Sequence, residues 1–131
     1  MAVDIKALMR SCGMSGNDTR RAVPVDAVEI DAVMRASKRY ADDVRRVMPV
    51  DKVMLFGSYA KGTADKCSDV DICFFLDNYG GKRRVDIIGD LLRLTSGYKG
   101  AFFEPIAFPT SEIYNDNPFV KEILRTGKEI S

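Results

Sequence analysis

Apolar residues recur every three or four positions through Val25, Val28, Ala32, Ala36, Tyr40, Val44 and Val47, while Lys38, Arg39, Asp42, Asp43, Arg45 and Arg46 fall largely on the other side. That spacing predicts an amphipathic helix over about residues 26–47, stopped by Pro49. Val50 to Phe56 follows as a short strand with apolar character on both faces. From Asp69 to Leu76 the pattern changes to strict alternation: Asp69, Asp71, Cys73 and Phe75 share one face, and Val70, Ile72, Phe74 and Leu76 share the other, which is the expected core face. Asp77-Asn78-Tyr79-Gly80-Gly81 is turn chemistry. Val85, Ile88, Leu91 and Leu92 mark a second helix over about residues 82–95, with Gly97 and Gly100 at its exit. A third strand is predicted over residues 101–108, at a sheet edge or in a non-pairing position because Pro105 has no N–H to donate. Asp116-Asn117-Pro118 reads as a helix start and Gly127 as its stop, with Phe119, Ile123 and Leu124 as the packed residues.

This order of elements predicts an α/β (α+β) domain in which helices flank a small mixed β-sheet. The domain is expected over residues 25–131, preceded by a mobile lead-in over residues 1–24 that holds a short amphipathic piece and a polar, glycine-containing stretch. With 131 residues, one core that removes roughly two thirds of the unfolded surface from water is attainable. The apolar share of 46% and charged share of 30% place the chain among globular proteins. A formal charge of +1 supplies no global field toward nucleic acid or an anionic membrane. No apolar run approaches the roughly 18 residues of a membrane span, and no signal-like segment opens the sequence, so a cytoplasmic protein is expected.

The chain has three cysteines, Cys12, Cys67 and Cys73, in no paired ligand spacing, and no histidine. Reduced thiols are therefore expected, while Ser-His and Cys-His catalytic pairs and imidazole ligation are excluded. Carboxylates remain as the natural metal ligands, and hard oxygen donors suit Mg2+ or Mn2+ better than zinc.

Candidate chemistry concentrates between residues 55 and 76. Asp69 and Asp71, two apart on a strand, project to one side with α-carbons about 6 to 7 Å apart, so one divalent cation could bridge them. A solvated strand face would place them the same way. Gly57-Ser58, directly after the first strand, could present backbone N–H groups and a hydroxyl to phosphate oxygens, or be an ordinary glycine turn. The Gly-x-x-x-x-Gly-Lys-Ser/Thr pattern of a P-loop is missing. Glu104 is the candidate third metal-facing carboxylate, because an unpaired charge in an apolar strand is costly; the alternative is that it points to water beside Pro105. Lys61, Lys66, Arg83 and Arg84 could meet phosphate or simply be solvated.

Gly57-Ser58, ten intervening residues and then Asp69-x-Asp71 resemble the signature of the nucleotidyltransferase superfamily that includes DNA polymerase β. In size the chain resembles the minimal (MNT) branch, whose members resemble antitoxins paired with HEPN-type toxins. The resemblance implies that Gly57 and Ser58 bind nucleotide phosphates, and that Asp69 and Asp71, with Glu104 in third place, bind Mg2+ (or Mn2+) and serve catalysis. It further implies ATP as substrate, AMP transfer to a hydroxyl, most naturally a tyrosine, of a HEPN-type toxin, and a hetero-oligomer with that partner. An Asp is common at the family's third position, so Glu104 is a departure, longer by one methylene. Nucleic acid is not expected as a direct substrate, for want of a basic stripe. Two other readings remain: a non-catalytic binder that neutralises a partner by occlusion, and a small-molecule nucleotidyltransferase.

Overall fold

The computed structural model describes residues 27–64, 68–97 and 103–130. The predicted lead-in over residues 1–24 lies outside them, as do Val25 and Cys12. Helix α1 (Ala27–Arg45) buries Ala32, Val33, Ala36, Tyr40, Ala41 and Val44, a stripe at spacings of one, three and four residues. Val47 does not belong to that stripe, contrary to its periodic placement. The helix ends at Arg45, the periodicity lapses with it, and Val47 is 64% exposed.

Strand β1 (Val50–Phe56) leads through a single helical turn, α2 (Ser58–Lys61), toward β2 (Val70–Leu76). Helix α3 (Arg84–Leu94), extended by a 3-10 turn to Gly97, precedes β3 (Phe103–Pro109). A 3-10 segment (Thr110–Tyr114), helix α4 (Pro118–Thr126) and strand β4 (Lys128–Ile130) complete the described chain. The four strands form one mixed sheet in the order β3-β2-β1-β4, with β2 parallel to β3 and antiparallel to β1, and β4 antiparallel to β1. Because β3 is outermost, Pro105 and Pro109 are tolerated there, as its proline predicted.

Helices cover both sheet faces. On the first, Val53, Leu55, Val70, Ile72, Phe74 and Leu76 meet Val33, Tyr40 and Val44 of α1 and Ile87 and Leu91 of α3. Tyr40 fastens this layer: its hydroxyl donates to Leu91 O at 2.6 Å, and its ring meets Phe74 edge-on at 5.4 Å. On the second face, Val120 and Ile123 of α4 cover Met54, Cys73, Phe75 and Phe108. Cys73 and Phe75 are thus as buried as the residues on the first face, and burial pushes the Cys73 thiol up to about 12, where it is a protonated, unreactive filler. Toward the Asp69–Asp71 end that face opens: Asp69 is exposed and Asp71 half-buried. Among the described residues no helix is long and apolar enough to cross a membrane.

Several apolar positions that look equivalent in sequence are not. In α3, Ile87 is buried while Val85 and Leu92 are 62% and 49% exposed; in α4, Val120 is buried and Phe119 is half-exposed. Both helices are short and meet the sheet along a single line, so a one-residue error in helical phase moves a side chain to water. Helix α4 starts as its sequence predicts: the Asn117 side chain accepts the N–H groups of Phe119 and Val120 at 3.0 and 3.2 Å, with Pro118 in the first turn.

Gly127 ends α4 where the chain passes hard against β1. A Cβ there would stand 2.5 Å from Ile123 O and 2.8 Å from Leu55 O, both backbone atoms that cannot swing aside. Gly127→Ala is accordingly expected to lower unfolding free energy by about 1–3 kcal/mol through overpacking, read as a reduced midpoint in urea.

Candidate functional site

The first part of the site is the exit from β1. Gly57 adopts φ +73° and ψ −151°, a conformation that side chains rarely permit, and turns the chain into α2. Lys61 N donates to Gly57 O at 3.0 Å and Thr63 N to Ser58 O at 3.0 Å, while Gly62 closes the turn at φ +78°. Tyr59 and Ala60 are buried and anchor it, leaving Gly57 and Ser58 half-buried at the surface. The turn is therefore rigid and partly open, as a group that orients a ligand must be.

The carboxylates are placed by sheet register. Phe56 pairs with Asp71 across β1 and β2, and Asp71 pairs with Glu104 across β2 and β3, so Asp71 lies between the exit of β1 and Glu104. Alternation puts Asp71 and Glu104 on the face that carries Cys73, Phe75, Ile106 and Phe108, at the end α4 leaves uncovered. Asp69 precedes the strand by one residue and is exposed, Asp71 is half-buried and Glu104 is exposed. Gly57 is what makes room. A Cβ on it would stand 2.2 Å from Asp71 Oδ2, so the Gly-Ser turn and the Asp-x-Asp pair are in direct steric contact.

The three carboxyls act on one another. Burial raises the Asp71 carboxyl above its ordinary value, the Asp69 charge raises it further, and a hydrogen bond from Glu104 draws it partly back. Glu104 is raised first by its hydrogen bond with Asp69 and then by the Asp69 charge, so the neighbouring carboxyls oppose its ionisation. Among the described residues no cationic side chain is an influence on either group. Among the described residues no three acidic or thiol side chains are gathered into a ready-made metal shell. Like charges without a counter-ion share a proton or spread apart. A hard divalent cation fits this donor set on the same ground, since its charge would offset the repulsion among the carboxylates.

The sign of the coupling gives a measurable result. Both folded-state values are raised, so the stability these groups contribute is complete below their unfolded values, about 3.8 and 4.5, and is lost as pH rises through the raised ones. Without divalent ions, Asp71→Asn should therefore melt slightly above the parent at pH 7, with the gap closing below about pH 4. Solvent screening keeps the effect small. Adding Mg2+ should reverse the order by stabilising only the parent.

The basic candidates separate. Lys61 stays beside the turn, 4.0 Å from Glu122 of α4. Arg83 pairs with Asp86 in the capping box of α3, and the Arg84 guanidinium lies 4.1 Å above the Phe108 ring. Phe108 is four residues along β3 from Glu104, about 13 Å away, so Arg84 does not reach the carboxylates. Lys66 lies outside the described residues. The Gly57–Asp71 contact was not expected from the sequence; its signal was a glycine closing one strand and an Asp near the start of the next.

A family model described as "Polymerase beta, Nucleotidyltransferase" matches residues 42–131, which include every residue of this site. The chain belongs to that family. The matched stretch contains all four strands of the mixed sheet. Among solved structures, a Sulfolobus solfataricus protein provisionally assigned as a nucleotidyltransferase superposes with a TM-score of 0.54 at 17% identity, covering 76% of this chain and 80% of that one. This likeness shows a shared nucleotidyltransferase fold. Comparison with curated proteins finds no match.

Proposed function

We propose that this nucleotidyltransferase uses Mg2+ to transfer AMP from ATP to a tyrosine hydroxyl of a HEPN-type toxin, acting as its antitoxin. The observation that supports the reading is the Asp71 carboxylate seated against Gly57 and in register with Glu104, which sets the Gly57-Ser58 turn beside the acidic residues. The partner and the acceptor rest on the resemblance of Gly57-Ser58 and Asp69-x-Asp71 to the minimal branch of the superfamily.

Asp69 and Asp71 would hold the cation, and Ser58 with the neighbouring amides would orient the outer phosphates. Bound there, Mg2+ supplies charge neutralisation on the triphosphate. Glu104 would accept the proton of the attacking hydroxyl. The acceptor oxygen bonds to the α-phosphorus, the bond from that phosphorus to the bridging oxygen breaks, and pyrophosphate leaves. Positioning would contribute much of the rate, because the turn leaves β1 directly and Asp71 and Glu104 stand on paired strands.

Incubating the chain with a HEPN-type partner, MgCl2 and ATP should add one AMP to the partner, with pyrophosphate in equal amount. An unchanged partner mass across the four common nucleoside triphosphates and across Mg2+ and Mn2+ rules the transfer out. Neutralisation that survives in the Asp69→Asn/Asp71→Asn protein assigns the effect to binding alone.

A further inference from the structure

Phe119 is 50% exposed although it opens a helix that is otherwise packed on the sheet. The ring is nevertheless well held. It meets Phe56 edge-on, 6.0 Å between centroids at 88°, and lies 6.0 Å from Phe108 at 56°, while its backbone N–H is fixed by the Asn117 cap. Phe56 is the residue paired with Asp71 and immediately precedes Gly57. Three residues beyond Phe119, on the same side of α4, Glu122 reaches Lys61 of the phosphate turn. The open aromatic face thus lies one ring beyond Phe56, the residue that is opposite Asp71 and next to Gly57.

We propose that Phe119 is a stacking platform for the base of the nucleoside triphosphate. The inference rests on the nucleotidyltransferase reading and adds the residue that takes the base. A preorganised aromatic ring loses little freedom on binding, and stacking accepts any base because every base presents a π face. Purine triphosphates should therefore bind more tightly than pyrimidine ones, through contact area rather than hydrogen-bond readout. An aromatic side chain of the acceptor could use the same face, and the test separates that case.

The sequence contains no tryptophan, so Phe119→Trp introduces a single indole reporter. With the full chain and Mg2+, ATP should quench its emission, whereas inorganic tripolyphosphate, which lacks a base, should not. Phe119→Ala should bind MgATP about tenfold more weakly, as expected for one lost stacking contact, while its affinity for tripolyphosphate changes less than about twofold. Unaltered MgATP affinity in Phe119→Ala, equal losses for both ligands, or indole emission indifferent to saturating ATP overturns the platform and leaves the transferase reading standing; the first of these with slowed acceptor modification assigns the face to the acceptor. A parent protein that binds neither MgATP nor tripolyphosphate overturns both.

Discussion

Replacing Asp69 and Asp71 together by asparagine is expected to reduce nucleotidyl transfer by at least about a thousandfold, measured as single-turnover AMP incorporation at saturating Mg2+ and ATP. The amides keep the shape of the carboxylates and lose the charge that holds a cation, so the chemistry should fail while the structure stays. Stability is the internal control. Asp71 is raised by burial and by Asp69, so neutralising both should leave the urea midpoint unchanged or slightly higher when no divalent ion is present. A double variant that unfolds more readily under these conditions would indicate that the carboxylates are structural. One that transfers at the parental rate would remove them from the mechanism.

Gly57→Ala carries the second large effect, and it joins fold to function at one atom. The backbone there, φ +73° and ψ −151°, belongs to a region essentially restricted to glycine, and the added Cβ would stand 2.2 Å from Asp71 Oδ2. Strain and overpacking together should cost about 2–5 kcal/mol of unfolding free energy. Transfer should fall about a hundredfold or more even in the fraction that folds, because the Asp71 carboxylate must move. Gly62→Ala separates the two causes. Gly62 also has a positive φ, +78°, but nothing lies within 4 Å of its Cβ position, so only about 1 kcal/mol of backbone strain is expected. If the two substitutions cost the same, the steric contact with Asp71 has no consequence. If Gly57→Ala is much the milder in an Asp71→Ala background, the contact is the cause.

Much of the architecture was legible because its signals are local. Val50–Phe56 announces a strand through its apolar run after Pro49, and Asn117-Pro118 with Gly127 brackets α4, since a cap and a stop act within a few residues. The alternation from Asp69 to Leu76 separates the carboxylates from Val70, Ile72, Phe74 and Leu76 without reference to any other strand. What escaped depends on distant contacts. Lys128–Ile130 has too few residues for a pattern of its own and becomes a strand by pairing with Val53, Met54 and Leu55. Val47 follows the helical period but lies beyond the last turn, and Phe119 is apolar but half-exposed, resting edge-on against Phe56.

The site divides along the same line. Asp69 and Asp71 share a face by strand parity, and Gly57-Ser58 declares a turn by residue type. Glu104 meets Asp71 only because β2 and β3 are parallel in that register, which two segments 33 positions apart do not specify. Arg84, an equally plausible phosphate ligand by composition, is carried instead to Phe108 at the far end of β3. Long-range pairing, set by the two packed faces rather than by any motif, decides which charged residues meet.

The most direct measurement is a crystal structure of the chain with Mg2+ and an ATP analogue that resists cleavage at the α-phosphate. The cation should be bound between the Asp69 and Asp71 carboxylates and the triphosphate, with the outer phosphates on the Gly57-Ser58 turn and Glu104 facing the α-phosphate. A nucleotide bound elsewhere, or bound here with the cation away from both aspartates, would contradict the proposed mechanism.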